Sequence, residues 1–233
     1  MNQPAIEREV EKIAAAIDAD MLAIPYQRTP AMRTVLRRYS LALREASPEL
    51  MLRLAAKLCK VDGNRWIAYE LIRGHRAAFK SLGPAELEQL GQGIASWWMV
   101  DSFARTLSGP AWLHRQVSNE LILNWAGSSD RWWRRAALVS TVALNVRSQG
   151  GRGDVSLTLR ICRSLAGDQD DMVAKALSWA LRELVVHDAG AVMEFLDEHD
   201  KVLAALVKRE VKNKLNTGLK NPGRKANQRQ EPR

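Results

Sequence analysis

Asp130-Arg131-Trp132-Trp133-Arg134-Arg135-Ala136-Ala137 opens on a capping acid, runs through bulky and cationic residues, and settles on two alanines. Asp, like Ser, Thr and Asn, accepts hydrogen bonds from the orphan N–H groups of a first helical turn. Small residues half a dozen positions later let a neighbouring helix approach closely. The same design recurs on both sides. Thr29, Asp62, Ser96, Asp130 and Asp170 are all N-cap candidates, at gaps of 33, 34, 34 and 40 residues. Six positions on from each stand Val35, Ala68, Ser102, Ala136 and Ala176, small or β-branched throughout.

Proline marks further helix starts, one at the first of these caps and three between them. At Thr29-Pro30, Ser47-Pro48, Gly83-Pro84 and Gly109-Pro110 a capping or permissive residue precedes a proline, which suits the first helical position. Apolar residues at three- and four-residue spacing fill Pro48 to Lys60 and Ala111 to Trp125. Helices are therefore expected from near Pro48, Pro84, Pro110 and Asp154. Val155, Leu157, Leu159 and Ile161 alternate as a strand would, but Val155, Leu159 and Cys162 also fit a helix, and the context decides for helix. Helix pairs recurring at this period predict an all-α chain, an α-solenoid of HEAT-like helix pairs curved around a concave basic groove. Residues 1–216 read as this repeat domain. Residues 217–233 read as a basic tail of disordered composition.

The 233 residues are 46% hydrophobic and 26% charged, a globular composition. Of the formal charge of +9, the stretch from Val207 to the end carries +7. Arg105 to Arg163 holds nine arginines and no lysine, against Glu120, Asp130 and Asp154. Two basic zones point to a polyanionic partner, although a solubilising tail and a solvated face fit the charge equally well. Cys59 and Cys162 sit inside helical apolar patterns and read as buried thiols in a reducing compartment. Glu7, Arg8, Glu9, Glu11 and Lys12 make the N-terminus unlike a signal peptide, and no apolar run reaches the ~18 residues of a membrane span. A cytoplasmic protein without a membrane partner is expected.

Position five after each cap reads Thr34, Ile67, Asp101, Arg135 and Lys175. Trp97 stands at position one of its repeat and Trp179 at position nine of its own. Positions one, five and nine share a helix face. Stacked repeats, roughly 10 Å apart, would bring Arg135 within reach of Asp101. Arg131 at position one and Arg105 at position nine extend this stripe, which predicts a wall acidic at one point and flanked by indoles. A plainer reading makes Asp101 and Arg135 an inter-repeat salt bridge and the tryptophans packing residues. That reading is taken here for Trp66, Trp112 and Trp125, and one of Trp132 and Trp133 is expected to point inward.

Three segments carry a resemblance: Trp97-x-x-Val100-Asp101-Ser102, Trp133-x-Arg135-Ala136-Ala137, and Lys175-Ala176-x-x-Trp179-x-Leu181-Arg182-Glu183. In this order and spacing the chain resembles the DNA alkylation repair (AlkD-like) family of HEAT-like-repeat DNA glycosylases, from Arg28-Thr29-Pro30-x-x-Arg33 to about Glu210. The resemblance implies excision of positively charged alkylated purines, N3-alkyladenine and N7-alkylguanine, from duplex DNA, without full flipping of the damaged base. It places the active surface on Asp101, Arg135, Trp97 and Trp179. Trp98, Arg105, Arg131, Arg134, Lys175 and Arg182 are expected to line the DNA. One departure stands out: Trp98 occupies a position that is usually acidic in such relatives. Two indoles are then candidates to face DNA, and helix geometry prefers Trp97, four residues before Asp101.

The chemistry suits these residues. A base that already carries positive charge departs neutral and needs no general acid, while positive charge develops on the deoxyribose. A carboxylate held against the sugar stabilises that transition state and can align water. Asp101 must be ionised for this, a state that a neighbouring Arg135 favours. Indole faces attract a cationic nucleotide, and arginines would hold phosphates. The four histidines, His75, His114, His187 and His199, are scattered, and no metal or organic cofactor is implied. The expected enzyme is a monomer with no obligate protein partner, nucleoid-associated when bound to DNA. Two alternatives remain: a non-catalytic solenoid that binds DNA or damaged DNA structure, and a scaffold for an acidic protein.

Overall fold

The computed structural model describes residues 3–24 and 29–222. Arg28 of the Arg28-Thr29-Pro30 motif and the basic tail beyond Pro222 lie outside the described residues. Among the described residues there are helices and turns and no strand. The chain divides into two compact units, Met1–Val117 and Ser118–Arg233.

The first unit contains α1 (Gln3–Leu22), α2 (Thr29–Ala42), α3 (Pro48–Leu58), α4 (Arg65–Gly74), the short α5 (Arg76–Lys80), α6 (Pro84–Gly91), α7 (Trp97–Phe103) and, after a π turn at Ala104–Ser108, α8 (Gly109–Leu113). α1 packs on α2, α3 on α4 and α6 on α7, while α2, α4 and α7 follow one another as the second helices of these pairs. The second unit contains α9 (Asn119–Ala126), α10 (Arg131–Asn145), α11 (Val155–Ser164), α12 (Asp171–Leu184), α13 (Ala189–Glu198) and α14 (Ala205–Thr217). Here α9 pairs with α10 and α11 with α12, and α10, α12 and α14 lie side by side. The helix-pair architecture predicted from the spacing of the caps is the architecture observed.

The capping residues explain why the helices start where they do. Ser47 Oγ accepts from Leu50 N at 3.2 Å, ahead of a proline in the first turn of α3. Asp130 accepts from Trp132 N at 2.8 Å, Asp154 from Leu157 N at 2.9 Å, and Asp170 from Met172 N at 2.8 Å. Each satisfies a donor that the first turn leaves open. Ser96 holds the extended N-cap geometry of α7, but its side chain makes no capping hydrogen bond.

Three elements differ from expectation. Asp62–Asn64 forms a 3-10 turn, so α4 begins at Arg65 with Asn64 at its cap. α8 starts at Gly109-Pro110, as expected, but it ends at Leu113. It lies in the continuation of α7, where Gly109 N–H reaches back five residues to Ala104 O, and the break comes at Ser118, whose Oγ caps α9 at Leu121 N. A proline tolerated in a first turn is equally tolerated where a widened turn leaves its missing donor without consequence. The third difference is a sixth second-helix, α14, which follows Ala204, 34 residues after Asp170. Ala204 offers no capping oxygen and leaves no mark in the pattern.

α10 is the axis of the second unit: every residue from Arg135 to Asn145 is buried. Most of its buried polar groups are bonded, as burial demands, with Asn145 Oδ1 the exception. Ser140 Oγ donates to Ala136 O at 2.7 Å, Thr141 Oγ1 to Leu138 O at 2.7 Å, and Asn145 Nδ2 to Thr158 Oγ1 at 3.0 Å. Cys59 and Cys162 are buried free thiols. Burial pushes Cys59 up to about 11 against the pull of Arg65 and Tyr69. The chain after α14 begins by folding back on it: Asn213 Nδ2 donates to Lys220 O at 3.0 Å, and Lys220 Nζ lies 3.3 Å from Glu210. No helix among the described residues is long and apolar enough to cross a membrane.

Candidate functional site

α7 sorts its residues by face. Met99, Val100 and Phe103 are buried, and Phe103 meets Tyr69 of α4 with ring centroids 5.7 Å apart. The opposite side is open: Trp97 is 56% exposed, Trp98 38%, and Asp101 is partly exposed. Trp97 and Asp101, four residues apart, therefore present an indole and a carboxylate on one accessible face, as the spacing predicted. Arg105 is exposed as well, but it stands in the π turn. The widened turn sets it off the straight stripe that a 3.6-residue period would draw.

Trp98 turns to a different side. With Thr29 and Met32 of α2, Gly63, Trp66 and Ser102 it lines a cleft of about 320 Å³. Trp66 is only partly buried. The expectation that it fills the core is corrected: Trp66 lines this cleft, on a helix that starts two residues later than Asp62 implied. Trp112 and Trp125 are buried core residues, as expected.

In the second unit Arg135 is 5% exposed, and its Nη1 donates to Met172 O of α12 at 2.5 Å. Position one of the same helix, Arg131, is exposed, lies 3.3 Å from Asp170 and stacks its guanidinium 4.7 Å from the Trp132 ring. The stripe on α10 thus runs from solvent at Arg131 into the seam between α10 and α12 at Arg135. Trp133 packs on Trp125, ring centroids 4.7 Å apart, and is the inward member of the Trp132/Trp133 pair.

Arg134 is committed to the loops around it. Its Nε donates to Asp168 at 2.7 Å, and its Nη1 to Ser128 O at 3.0 Å and Ser129 O at 2.9 Å. On α12, Lys175 is exposed and pairs with Asp171 at 2.6 Å. Trp179 is half-buried and donates from Nε1 to Glu183 at 3.0 Å. Arg182 faces α14 instead: its Nε donates to Ser178 Oγ at 3.2 Å and lies 3.9 Å from buried Glu210. Desolvation lowers its pKa, opposed by Glu210 and Glu183.

Two residues of interest escaped the sequence reading, Trp66 and Ser102 as cleft walls. Counted from the observed helix starts rather than from the candidate caps, the second residue is Trp66 in α4, Trp98 in α7 and Trp132 in α10. That recurrence was available in the sequence, but the 3-10 turn ahead of α4 put it out of register. Among the described residues no group of three or more His, Cys, Asp or Glu side chains is placed to hold a metal ion.

Residues 26–215 match the family model described as DNA alkylation repair enzyme. Comparison with curated proteins and with solved structures finds no match.

Proposed function

The chain belongs to the DNA alkylation repair enzyme family, and on that premise we propose that it is a DNA glycosylase that excises cationic alkylated purines, N3-alkyladenine and N7-alkylguanine, from duplex DNA. The observation that carries the reading is the exposed pair on α7: an indole at Trp97 and a carboxylate at Asp101 one turn apart on an open face.

Asp101 acts on the sugar. As the glycosidic bond breaks, its two electrons leave with the base, which departs neutral, and the deoxyribose becomes oxocarbenium-like. A fixed carboxylate beside the ring interacts more strongly with this charge than with the ground state, so it accelerates the step itself. The same carboxylate aligns the water that completes hydrolysis. Trp97 offers its π face to the cationic nucleotide, an attraction of roughly 0.5–2 kcal/mol. On the second unit, Arg135 and Trp179 take the remaining roles carried by the family resemblance. Arg105, Arg131 and Lys175 are exposed cations suited to phosphates. Arg134 and Arg182 contribute by holding the loop after α9 and the seam between α12 and α14, since their donors are directed at those partners.

The competing reading, a solenoid that binds damaged DNA without breaking a bond, predicts the same salt-sensitive affinity. Incubating the purified protein with methylated duplex DNA and counting free base separates the two. Release of 7-methylguanine or 3-methyladenine supports the glycosylase. Salt-sensitive binding with no released base supports the binding module.

A further inference from the structure

Trp179 donates its indole Nε1–H to the carboxylate of Glu183, one turn further along α12, at 3.0 Å. Indole has this one donor and no acceptor, so a Trp179 bound in this way offers an incoming ligand its ring face and nothing else. We propose that Glu183 is a positioning residue for Trp179. It holds the indole as a cation-binding surface, and its charge makes that surface a better partner for a cationic alkylated nucleotide. The inference rests on the glycosylase reading, which gives Trp179 its place beside the substrate, and adds a residue to which that reading gives no role.

Geometry supports it first. Both side chains are half-buried, so part of the ring meets solvent. A tryptophan ring otherwise turns about two side-chain bonds. Tying its N–H edge to a partner in the next turn fixes the ring plane. The ring is then ordered before substrate arrives, which lowers the entropic cost of binding. Charge supports it second. A hydrogen bond to a carboxylate is of the stronger, charge-assisted kind, and a donor is polarised by such an acceptor. Electron density moves from the N–H into the ring, where the quadrupole that attracts cations resides. Glutamine in place of Glu183 would keep an acceptor and lose this contribution.

The helix beneath the ring is held as well. Ser178, buried and next to Trp179, donates from Oγ to Glu210 of α14 at 2.7 Å, and Arg182 Nε donates to Ser178 Oγ at 3.2 Å. Lys220 Nζ lies 3.3 Å from the other Glu210 oxygen. These bonds fix how α12 is rotated against α14, all within the second unit. The Trp179 side chain therefore leaves the helix in a set direction, and Glu183 fixes the ring at its end. Glu183 also opposes the desolvation of the Arg182 guanidinium, so a test has to separate an effect through Trp179 from one through Arg182. A pair at this spacing on a helix surface adds little to stability, which distinguishes positioning from a structural role.

The test is a double-mutant cycle in the full chain: wild type, Glu183→Leu, Trp179→Phe and the double variant, with Glu183→Gln as the conservative change. Binding is measured to a duplex bearing 2′-fluorinated 7-methylguanosine, whose glycosidic bond resists cleavage, and to its unmethylated counterpart. Wild type is expected to prefer the methylated duplex, and Glu183→Leu to lower that preference about threefold or more at a nearly unchanged thermal midpoint. Glu183→Gln should keep part of it. In the Trp179→Phe background, which has no N–H for Glu183 to hold, Glu183→Leu should change nothing further. The indole N–H resonance of Trp179, assigned by its loss in Trp179→Phe, should move upfield in Glu183→Leu. If the leucine variant folds poorly, Glu183→Gln in both backgrounds gives the same comparison. An equal loss in both backgrounds would place the effect of Glu183 on Arg182 or the fold and overturn the inference. So would a preference that Glu183→Leu leaves intact, or a wild type with none. Base release from ordinary methylated DNA is measured alongside: the expected cycle without released base contradicts the glycosylase reading alone, and released base with a preference indifferent to Glu183 contradicts this inference alone.

Discussion

The guanidinium of Arg135 donates to the carbonyl oxygen of Met172 at 2.5 Å, from a side chain only 5% exposed. The arginine that the sequence aims toward substrate is thereby anchored on α12, the neighbouring second helix. One residue serves the seam between repeats and is proposed to serve the DNA as well. A hydrogen bond from a charged group contributes about 1.5–3 kcal/mol. Arg135→Met should therefore lower stability by about that amount in urea unfolding, and lower base release further than the unfolded fraction explains.

Asp170 caps α12, and its carboxylate receives three kinds of support. Burial raises its pKa, but the N–H groups of Met172 and Val173 and the guanidinium of Arg131 more than offset this and hold it below the usual aspartate value. A carboxyl depressed in the folded state stabilises the fold above its unfolded pKa, and that contribution disappears as pH falls through the folded value. Asp170→Ala should cost roughly 0.5–2 kcal/mol near pH 7. Asp170→Asn keeps the cap but loses the charge, so its deficit should shrink as acid protonates the wild-type residue. Urea melts at neutral pH and near pH 3 check both. An unchanged deficit for Asp170→Asn at low pH would remove the electrostatic part of this account.

Gly153 sits at φ +89°, and a Cβ there would lie 2.4 Å from His187 Cγ. The His187 ring is fixed at that place, with Nε2 2.7 Å from Asn145 O. Gly153→Ala meets both a left-handed backbone and a side chain that cannot retreat. It should destabilise the second unit by roughly 1–3 kcal/mol, read as a lower thermal midpoint, while Gly74→Ala, with nothing within 4 Å of its Cβ, should not.

The two cysteines should be inert in the native protein. Burial raises both thiol pKa values, Cys59 to about 11 and Cys162 further still. The thiolate is the reactive form, so a disulfide reagent at neutral pH should label neither thiol until denaturant is added, and then both. Stoichiometric labelling of the folded protein would contradict the burial described.

The fold was largely legible because helix starts are a local matter. Asp130, Asp154 and Asp170 cap where their side chains predict, and the small residues Ala68, Ala136 and Ala176 lie buried between helices. Legibility failed where the local signal was ambiguous or silent. Pro110 suits a helix start and a continued helix alike, Asn64 displaces Asp62 through a 3-10 turn, and Ala204 has no cap to show. At the site, the i, i+4 relation of Trp97 and Asp101 is local and was visible. What was not visible was the destination of each long cation. Arg134 finds Asp168 and two loop carbonyls, and Arg182 finds Ser178 and approaches Glu210, all partners set by packing rather than by spacing. The Trp66/Trp98 cleft was hidden for the same reason, since it requires the true start of α4.

The central claim is that the Asp101 carboxylate stabilises the sugar as the base departs. Single-turnover release of 7-methylguanine from methylated duplex DNA, wild type against Asp101→Asn, tests it most directly. The account predicts that the variant loses about 10²-fold or more in rate with DNA affinity nearly unchanged, because a carboxylate does not attract phosphate. Release by Asp101→Asn at the wild-type rate would contradict it.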